Sequence, residues 1–341
     1  MIGERVRHAR DFCDLTQTAL AELAGVTQSK VSDIEAGRDA AKDEDVERIA
    51  SATGFPVEFF HQGALPDMPD GNFRRLKRGK ARAGRQVRAQ ARQVVELVQR
   101  SEHTIAMPPV RIEPVTHAED IEAIAQDVRD AAGVGRRDPI PNLTRAVERA
   151  GVVVAGIPSE IPDHTGYSAW PDFRLGGRPI IVYSRDDPGD RQRFTIAHEL
   201  GHLVMHTPAR ADELDVDDAE REANRFAGAL LLPREAAMEA MRAPLTLTTL
   251  AHVKATYGAS IGMCAHRARD LGLISEDRFV SIRKQMSSRG WHRQEPVDVP
   301  KERPLLIREV LERAGTGDSV SARARSLRLP AFAYRALTEA D

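Results

Sequence analysis

The five residues His198-Glu199-Leu200-Gly201-His202 constrain this chain more than any other short segment. They lie in a stretch from Arg191 to Thr207 that contains no proline and many apolar residues, which predicts a helix. Positions i and i+4 of a helix share one face, so both imidazoles can reach the same metal ion. The intervening Glu199 lies close enough to take a proton from a metal-activated water. The segment therefore predicts a metal centre built on a helix.

A catalytic metal centre usually has a third protein ligand and keeps one position for water. The metzincin pattern, which has a third histidine ligand at position 208, is excluded, because Met205 and Pro208 stand where that pattern requires glycine and histidine. A second predicted helix downstream places Glu220 and Asn224 on one face, four residues apart. Glu220 is the predicted third ligand, and Asn224 is predicted to hold the free ring nitrogen of a histidine ligand. Glu222 points about 200° away on a helical wheel and is the weaker candidate.

His206 lies one helical turn beyond the histidine pair. On a straight helix it would be about 12 Å from His198, which is too far to share one ion. We therefore expect His206 to have a structural role or to support a ligand. The spacing of the ligands by itself allows zinc or another divalent metal.

Three blocks of sequence around these two helices resemble the ImmA/IrrE family of zinc metallopeptidases. The blocks are Phe194–Leu203, Glu220–Ala227 and Leu231–Pro233, within a similar region from about Pro139 to Arg234. Members of that family are soluble bacterial or phage regulators that cut helix-turn-helix repressors. The cleavage releases stress-response or mobile-element genes.

The resemblance implies a zinc cofactor. Carried over residue by residue, it makes His198, His202 and Glu220 the zinc ligands and Glu199 the general base. It also implies a protein substrate, namely a repressor of the helix-turn-helix type. The fold expected for this part of the chain is an α+β zincin-like metallopeptidase domain.

Residues 1–60 predict a bundle of short helices. Thr16 and Thr27 are predicted to cap the second and third helices, which Gly25 and Gly37 end. The tight turn between these two helices is typical of a helix-turn-helix. This run of residues closely resembles the phage-repressor (XRE-type) DNA-binding domain. The resemblance implies that the third helix enters the major groove of double-stranded DNA and that a homodimer is a possible assembly.

Polar side chains on and beside the third helix are the candidates for DNA recognition. Gln28 can contact adenine through two hydrogen bonds, and a carboxylate such as that of Asp33 favours the amino group of cytosine. Lys30 suits a phosphate or guanine, and the two serines suit bases or phosphates. The candidate DNA-binding residues are Gln17, Gln28, Ser29, Lys30, Ser32 and Asp33.

Charge is distributed unevenly in this half of the chain. Residues 1–60 contain seven Lys/Arg and twelve Asp/Glu, a net charge of −5, whereas DNA affinity depends on neutralised phosphates. Residues 74–100 contain ten Lys/Arg and one acid, a net charge of +9. Val87, Ala91, Val94 and Val98 repeat there at helical spacing. A basic tail that continues as an amphipathic helix is therefore predicted, and it is either a source of DNA affinity or a solvated linker.

Composition agrees with a cytoplasmic protein. The charged start of the chain lacks the apolar run of a signal peptide, and no stretch approaches the roughly 18 apolar residues of a membrane span. Only Cys13 and Cys264 occur, so a disulfide framework is excluded and a reducing compartment is expected. No membrane partner is predicted.

The predicted fold class is mainly α with a small β component. A helix-turn-helix bundle stands at the N-terminus, the α+β peptidase-like domain follows, and the C-terminal region is helical. Residues 166–170 and 178–183 predict a hairpin before the metal helix, and Tyr167 or His164 is a candidate donor to a developing oxyanion. The predicted segments are 1–62 (helix-turn-helix), 63–110 (basic linker and amphipathic helix), 111–240 (peptidase), 241–295 (helical, helix-turn-helix-like) and 296–341 (tail).

Two functions of different class follow. In the first, a DNA-binding transcriptional regulator carries a zinc-dependent endopeptidase that cleaves a repressor-type protein to control stress or mobile-element genes. In the second, the protein is a transcription factor without proteolytic activity whose metal domain senses a ligand or a metal. The intact set of His198, Glu199, His202 and Glu220 favours the first.

Overall fold

The computed structural model describes residues 1–68, 81–115, 120–158, 166–171, 177–206, 214–291 and 293–338. The structure is 59% helical, and its described strands form one small sheet. The predicted fold class, mainly α with a small β component, is confirmed. None of the helices in the described ranges has the length and the apolar composition that a membrane crossing requires.

The N-terminal bundle consists of α1 (Ile2–Phe12), α2 (Gln17–Ala24), α3 (Gln28–Glu35), α4 (Asp43–Thr53) and α5 (Val57–Phe60). The Thr16 hydroxyl accepts from the backbone N–H of Ala19 at 3.0 Å, and the Thr27 hydroxyl accepts from that of Lys30 at 3.2 Å. Gly25 ends α2 with a φ of +64°, a conformation that glycine adopts without strain. The predicted caps and the helix-turn-helix are confirmed.

Helix α6 (Ala81–Ser101) packs against α1. Its apolar stripe is buried, and the Glu96 carboxylate pairs with the Arg5 guanidinium at 2.7 Å, with side-chain exposures of 8% and 1%. His8 Nε2 lies 3.1 Å from the side-chain oxygen of Gln93. Burial among aromatic rings lowers the pKa of His8 to about 3, so this imidazole is neutral in the fold. The amphipathic helix predicted from the valine spacing is confirmed.

Four arginines of α6 contact other parts of the protein. Arg92 donates to the Glu4 carboxylate at 2.8 Å, and Arg88 donates to the Met68 carbonyl at 2.8 Å. Arg85 lies 3.8 Å from the Asp11 carboxylate, and Arg100 donates to the carbonyl of residue 327 at 3.4 Å. The other basic residues of the predicted tail, between 74 and 82, have side chains outside the described residues. The described part of the basic segment is therefore engaged in internal contacts.

The middle of the chain contains the strands of a small sheet and a series of helices. The elements are α7 (Ile121–Ala131), α8 (Leu143–Arg149), β1 (Val153–Ile157), β2 (Gly166–Ala169), β3 (Ile180–Ser184), α9 (Gly189–Met205), α10 (Val216–Leu231), α11 (Arg234–Ala240), α12 (Leu247–Tyr257), α13 (Ile261–Asp270) and α14 (Glu276–Ser288). The strand order is β1-β3-β2, so the two strands of the predicted hairpin are neighbours. Helices α15 (Leu306–Ala314), α16 (Val320–Ser326) and α17 (Ala331–Thr338) follow.

The chain divides into two compact units. The first comprises Met1–Met107, Ala155–Val182 and Leu305–Asp341, and the second comprises Pro108–Val154 and Tyr183–Pro304. The division into five segments that the sequence predicts is finer than this one and stays a prediction.

Helix α9 is held in the second unit by a buried ion pair between Arg193 and Glu302. The same carboxylate accepts from the backbone N–H groups of Leu143 at 3.0 Å and Thr144 at 2.7 Å, at the first turn of α8. A carboxylate at this end of a helix is favoured by the unpaired N–H groups. Glu302 therefore joins the start of α8 to the middle of α9.

We predict that Glu96→Ala lowers the free energy of unfolding of the first unit by about 3 kcal/mol, because the buried Arg5 guanidinium loses its carboxylate. Urea unfolding of the full-length protein, followed by circular dichroism, measures the change. The exposed pair of Arg308 and Glu312 provides the control, since Glu312→Ala should leave the free energy of unfolding almost unchanged. Equal effects of the two substitutions would contradict the prediction.

Candidate functional site

Helix α9 presents His198 and His202 on the same face, one turn apart. Their Nε2 atoms are 3.0 Å apart, and their side chains are 15% and 4% exposed. Helix α10 packs directly on this face. A side chain at Gly201 would bring its Cβ to 2.9 Å from the ring of Phe226 and 3.4 Å from the Cα of Ala223. Glycine at this position therefore lets the two helices approach closely.

The close approach brings Glu220 of α10 opposite the two histidines. One carboxylate oxygen lies 3.4 Å from His198 Nε2 and the other lies 3.4 Å from His202 Nε2. Ligand atoms in a tetrahedral zinc site are about 3.3 Å apart, because the bonds to nitrogen and oxygen are about 2.0–2.2 Å long. Each carboxylate oxygen of Glu220 faces one histidine at close to this spacing, and one ligand atom from each of the three residues lies within 4.8 Å of the others. His198, His202 and Glu220 thus form a candidate metal site with two imidazole ligands and one carboxylate ligand.

The pKa values of these groups are shifted in the directions that their proximity predicts. Burial of His198 disfavours its charged form, but the hydrogen bond with Glu220 and the negative charges of Glu199 and Glu220 prevail and raise its pKa. Hydrogen bonds with His198 and then His202 lower the pKa of Glu220. Glu220 is therefore ionised at neutral pH, which is the state that a metal ligand requires.

Asn224 supports His198 from one turn further along α10. Its side-chain oxygen lies 3.1 Å from His198 Nδ1. When His198 Nε2 points towards a metal, its Nδ1 carries the proton and donates to this oxygen, which fixes the tautomer and the ring plane. The contact is the one that the i, i+4 spacing of Glu220 and Asn224 suggests, and its role in metal binding stays a prediction.

A second support lies behind His202 and involves His206, which is expected from the sequence to have a structural role or to support a ligand. Nδ1 of His202 is 2.7 Å from Nδ1 of His206, and Nε2 of His206 is 3.2 Å from the Glu222 carboxylate. With His202 Nε2 towards a metal, a proton on Nδ1 is donated to His206, which in turn donates to Glu222. Glu222, the weaker candidate ligand, is thus placed at the far end of this chain of hydrogen bonds. The i, i+4 spacing of His202 and His206 was the available signal.

Glu199 occupies α9 between the two histidines and is half-buried. Its charge is among those that raise the pKa of His198, which places the carboxylate near the candidate metal site. Of the two candidate oxyanion donors, Tyr167 is 3% exposed in β2. His164 lies outside the described residues.

The second candidate surface is the face of α3. Gln28 is exposed, and its side-chain amide donates to the oxygen of Gln17 at 2.9 Å. The amide of Gln17 donates in turn to the buried Glu35 carboxylate at 2.9 Å. Arg10 holds the same carboxylate through two hydrogen bonds, at 2.6 and 3.1 Å. The chain of contacts orients Gln17 and Gln28 before any DNA is bound.

The charged candidates on α3 are paired within the bundle. The Lys30 ammonium lies 2.7 Å from the Asp39 carboxylate and 3.3 Å from that of Asp45. Arg38 lies 2.8 Å from the Asp33 carboxylate. A phosphate contact by Lys30 has to compete with two carboxylates, so its contribution to DNA affinity is expected to be small.

The two candidate serines are placed close to the same network. Ser29 Oγ donates to the Asp33 carboxylate at 3.4 Å, and Ser32 accepts from Arg38 at 3.4 Å. Ser29 is exposed and Ser32 is half-buried. Their roles in DNA recognition stay predictions.

Two family models match the chain. Residues 147–269 match the M78 peptidase family, described as the IrrE N-terminal-like domain, and residues 2–59 match a helix-turn-helix domain. The first match contains the whole candidate metal site, and the second contains all the candidate DNA-binding residues. Both resemblances inferred from the sequence are confirmed. No curated protein shows a significant match to the chain.

We predict that Glu220→Ala abolishes tight metal binding and that Glu222→Ala retains it, because Glu220 faces both histidine Nε2 atoms whereas Glu222 contacts His206 at 3.2 Å. Elemental analysis of the two purified variants measures metal content per chain. Loss of the metal in Glu222→Ala and its retention in Glu220→Ala would show that the assignment is wrong.

We predict that Gln28→Ala reduces the preference for the operator over unrelated DNA by about 1–3 kcal/mol, because it removes a base-reading side chain. The dependence of affinity on salt should stay nearly unchanged, since no phosphate contact is lost. Binding to operator and random duplexes at several salt concentrations measures both quantities. Thr18→Ala, at an exposed position of α2, is the control. An unchanged preference in Gln28→Ala would refute the role of Gln28.

Proposed function

We propose that the protein is a DNA-binding transcriptional regulator with a zinc-dependent endopeptidase activity, and that it cleaves a repressor-type protein in the cytoplasm. The observation that carries the proposal is the cluster of His198, His202 and Glu220, whose ligand atoms lie within 4.8 Å of one another, with Glu199 between the two histidines on the same helix. Release of stress-response or mobile-element genes is the proposed consequence. The helix-turn-helix domain supports DNA binding, and the match to a peptidase family supports hydrolysis.

Zinc fits the donor set, since two imidazoles and one carboxylate with room for a water are a common catalytic combination. When bound, zinc would supply the acidification of a water and the polarisation of the scissile carbonyl. Glu199 is suited to accept a proton from the attacking water while the oxygen of the water adds to the carbonyl carbon of the substrate. The same carboxyl then returns the proton to the amine nitrogen as the carbon–nitrogen bond breaks. Both protein fragments leave with ordinary termini.

The residues around the ligands orient the two histidine rings. Asn224 and His206 each hold the Nδ1 side of one histidine, which directs both Nε2 atoms to the same point. Such outer contacts commonly change metal affinity or activity by about 10–100-fold when they are removed. His206 and Glu222 are therefore proposed as positioning residues.

The regulatory part of the proposal rests on the joining of the two domains in one chain. A helix-turn-helix brings its chain to a particular DNA site, where repressors of the same type also bind. A peptidase linked to that domain would meet such a repressor at a high local concentration. The proposed substrate is therefore a helix-turn-helix repressor, including a second copy of this chain.

We predict that Glu199→Gln lowers peptidase turnover by about 10²–10⁴-fold while it retains zinc and fold, because it removes the base and leaves all three ligands in place. Cleavage of a purified repressor encoded beside this gene is followed by mass spectrometry, with zinc content and circular dichroism as checks. Arg145→Gln, at an exposed position of α8, is the control. Full cleavage by Glu199→Gln would exclude the mechanism. Absence of cleavage by the zinc-loaded native protein would favour the sensor function.

A further inference from the structure

A large cavity lies beside the candidate metal site within the second unit. Its volume is about 990 Å³, and residues of α9, α10, α13 and α14 line it. That volume is at the upper end of the range of roughly 300–1,000 Å³ that ligand pockets span. Nothing in the hydrolytic mechanism above uses it.

Two lining residues connect the cavity to the metal site. Asn224 lines the cavity and also lies 3.1 Å from His198 Nδ1. Phe194, on the other helix, has its ring centre 6.2 Å from that of His198. A polypeptide bound at the metal site therefore has the cavity directly next to it.

The lining is strongly basic. Six arginines and two acids contribute to it, which gives a net charge of +4 from these eight residues. The arginines are Arg191, Arg221, Arg225, Arg267, Arg269 and Arg283. Cavity walls of one charge sign raise the local concentration of groups of the opposite sign.

The acids of the lining are already engaged. Glu295 accepts from the backbone N–H groups of Ile261 and Gly262, at 2.7 and 3.1 Å, and pairs with Lys254 at 3.0 Å. Asp270 lies 3.3 Å from Arg269. Neither carboxylate is therefore available to neutralise the remaining arginines.

The arginines differ in how far they are neutralised. Arg267 is buried and forms two hydrogen bonds with the Glu122 carboxylate, at 2.6 and 2.7 Å. Arg225 and Arg283 are exposed, and within the described part of the chain neither has a carboxylate partner. These two guanidinium groups are the ones best placed to receive an anion from outside.

Apolar side chains share the wall with the arginines. Met263 and Met286 are buried, Trp291 is half-buried, and Phe194 continues the apolar surface towards His198. Nucleic acid presents mainly phosphates to a protein, and it would make little use of methionine side chains. A polypeptide segment with acidic and apolar side chains matches both parts of the wall, because arginines bind carboxylates and methionines accommodate varied apolar side chains.

We propose that this cavity is a recognition subsite for acidic and apolar side chains of the substrate polypeptide next to the scissile bond. The inference rests on the proposed peptidase function and adds the substrate class to it. An acidic helix-turn-helix domain, such as residues 1–60 with a net charge of −5, has the composition that this subsite selects. Arg225 and Arg283 are the specificity-determining residues.

The test measures binding separately from hydrolysis. The full chain carrying Glu199→Gln, loaded with zinc, is titrated into a fluorescein-labelled peptide of alternating glutamate and leucine, and binding is followed by anisotropy. The matched peptide has glutamine in place of every glutamate. We expect the acidic peptide to bind about tenfold more tightly at low salt, with the difference shrinking as salt screens the charges.

Charge variants locate the binding. Arg225→Gln and Arg283→Gln should each lower the affinity for the acidic peptide about threefold, and the double variant should lower it about tenfold. The affinity for the glutamine peptide should stay unchanged. Arg145→Gln, exposed on α8 and absent from the cavity lining, should leave both affinities unchanged. Unchanged affinity of the acidic peptide in the double variant overturns the proposal. Weakened binding of a DNA duplex with unchanged peptide binding also overturns it.

The result is distinguishable from a failure of the peptidase function. If the arginine variants weaken acidic peptides and the native protein hydrolyses nothing, the binding site stands and the peptidase proposal fails. If the native protein and the double variant cleave acidic and neutral substrates equally well, the peptidase proposal stands and the subsite fails.

Discussion

The contact between α9 and α10 is the constraint on which the candidate site depends. Two histidines on one helix provide only two ligand atoms, and the third has to come from a different element at a distance of about 3.3 Å. Gly201 makes this possible, because any Cβ there would meet Phe226. The glycine inside the motif is thus a packing residue, and it determines where Glu220 lies relative to His198 and His202.

Buried charge organises both units in the same manner. Arg5 and Glu96 connect α1 to α6 in the first unit, while Arg193 and Glu302 connect α9 to the start of α8 in the second. Each pair is desolvated, so loss of one partner is costly, and further hydrogen bonds to each pair limit its possible geometries. The helix-turn-helix bundle also packs against α6. Its core includes Ala89 of α6.

Arginine has opposite roles in two regions that the sequence presents alike. The described arginines of α6 contact carboxylates and carbonyls of their own unit, so a run of positive charge contributes to packing there. Beside the metal site, Arg225 and Arg283 remain exposed without a carboxylate partner among the described residues. The difference is geometric, because the stability that an arginine contributes depends on whether an acceptor lies within reach of the planar donors of its guanidinium group. Counting charges along the chain does not distinguish the two.

Local features could be predicted from the sequence: the helix caps at Thr16 and Thr27, the turn between α2 and α3, and the shared face of His198 and His202. These follow from interactions between residues at most four positions apart, which a spacing reveals. The sequence also pointed to Glu220, through its spacing from Asn224 and the resemblance to a family. The complete chain of hydrogen bonds behind His202, the pairing of Arg5 with Glu96 and the basic cavity are visible only in the folded protein. Each of these includes a contact between residues distant in sequence, such as His206 with Glu222, and packing alone sets which of many compatible side chains meet.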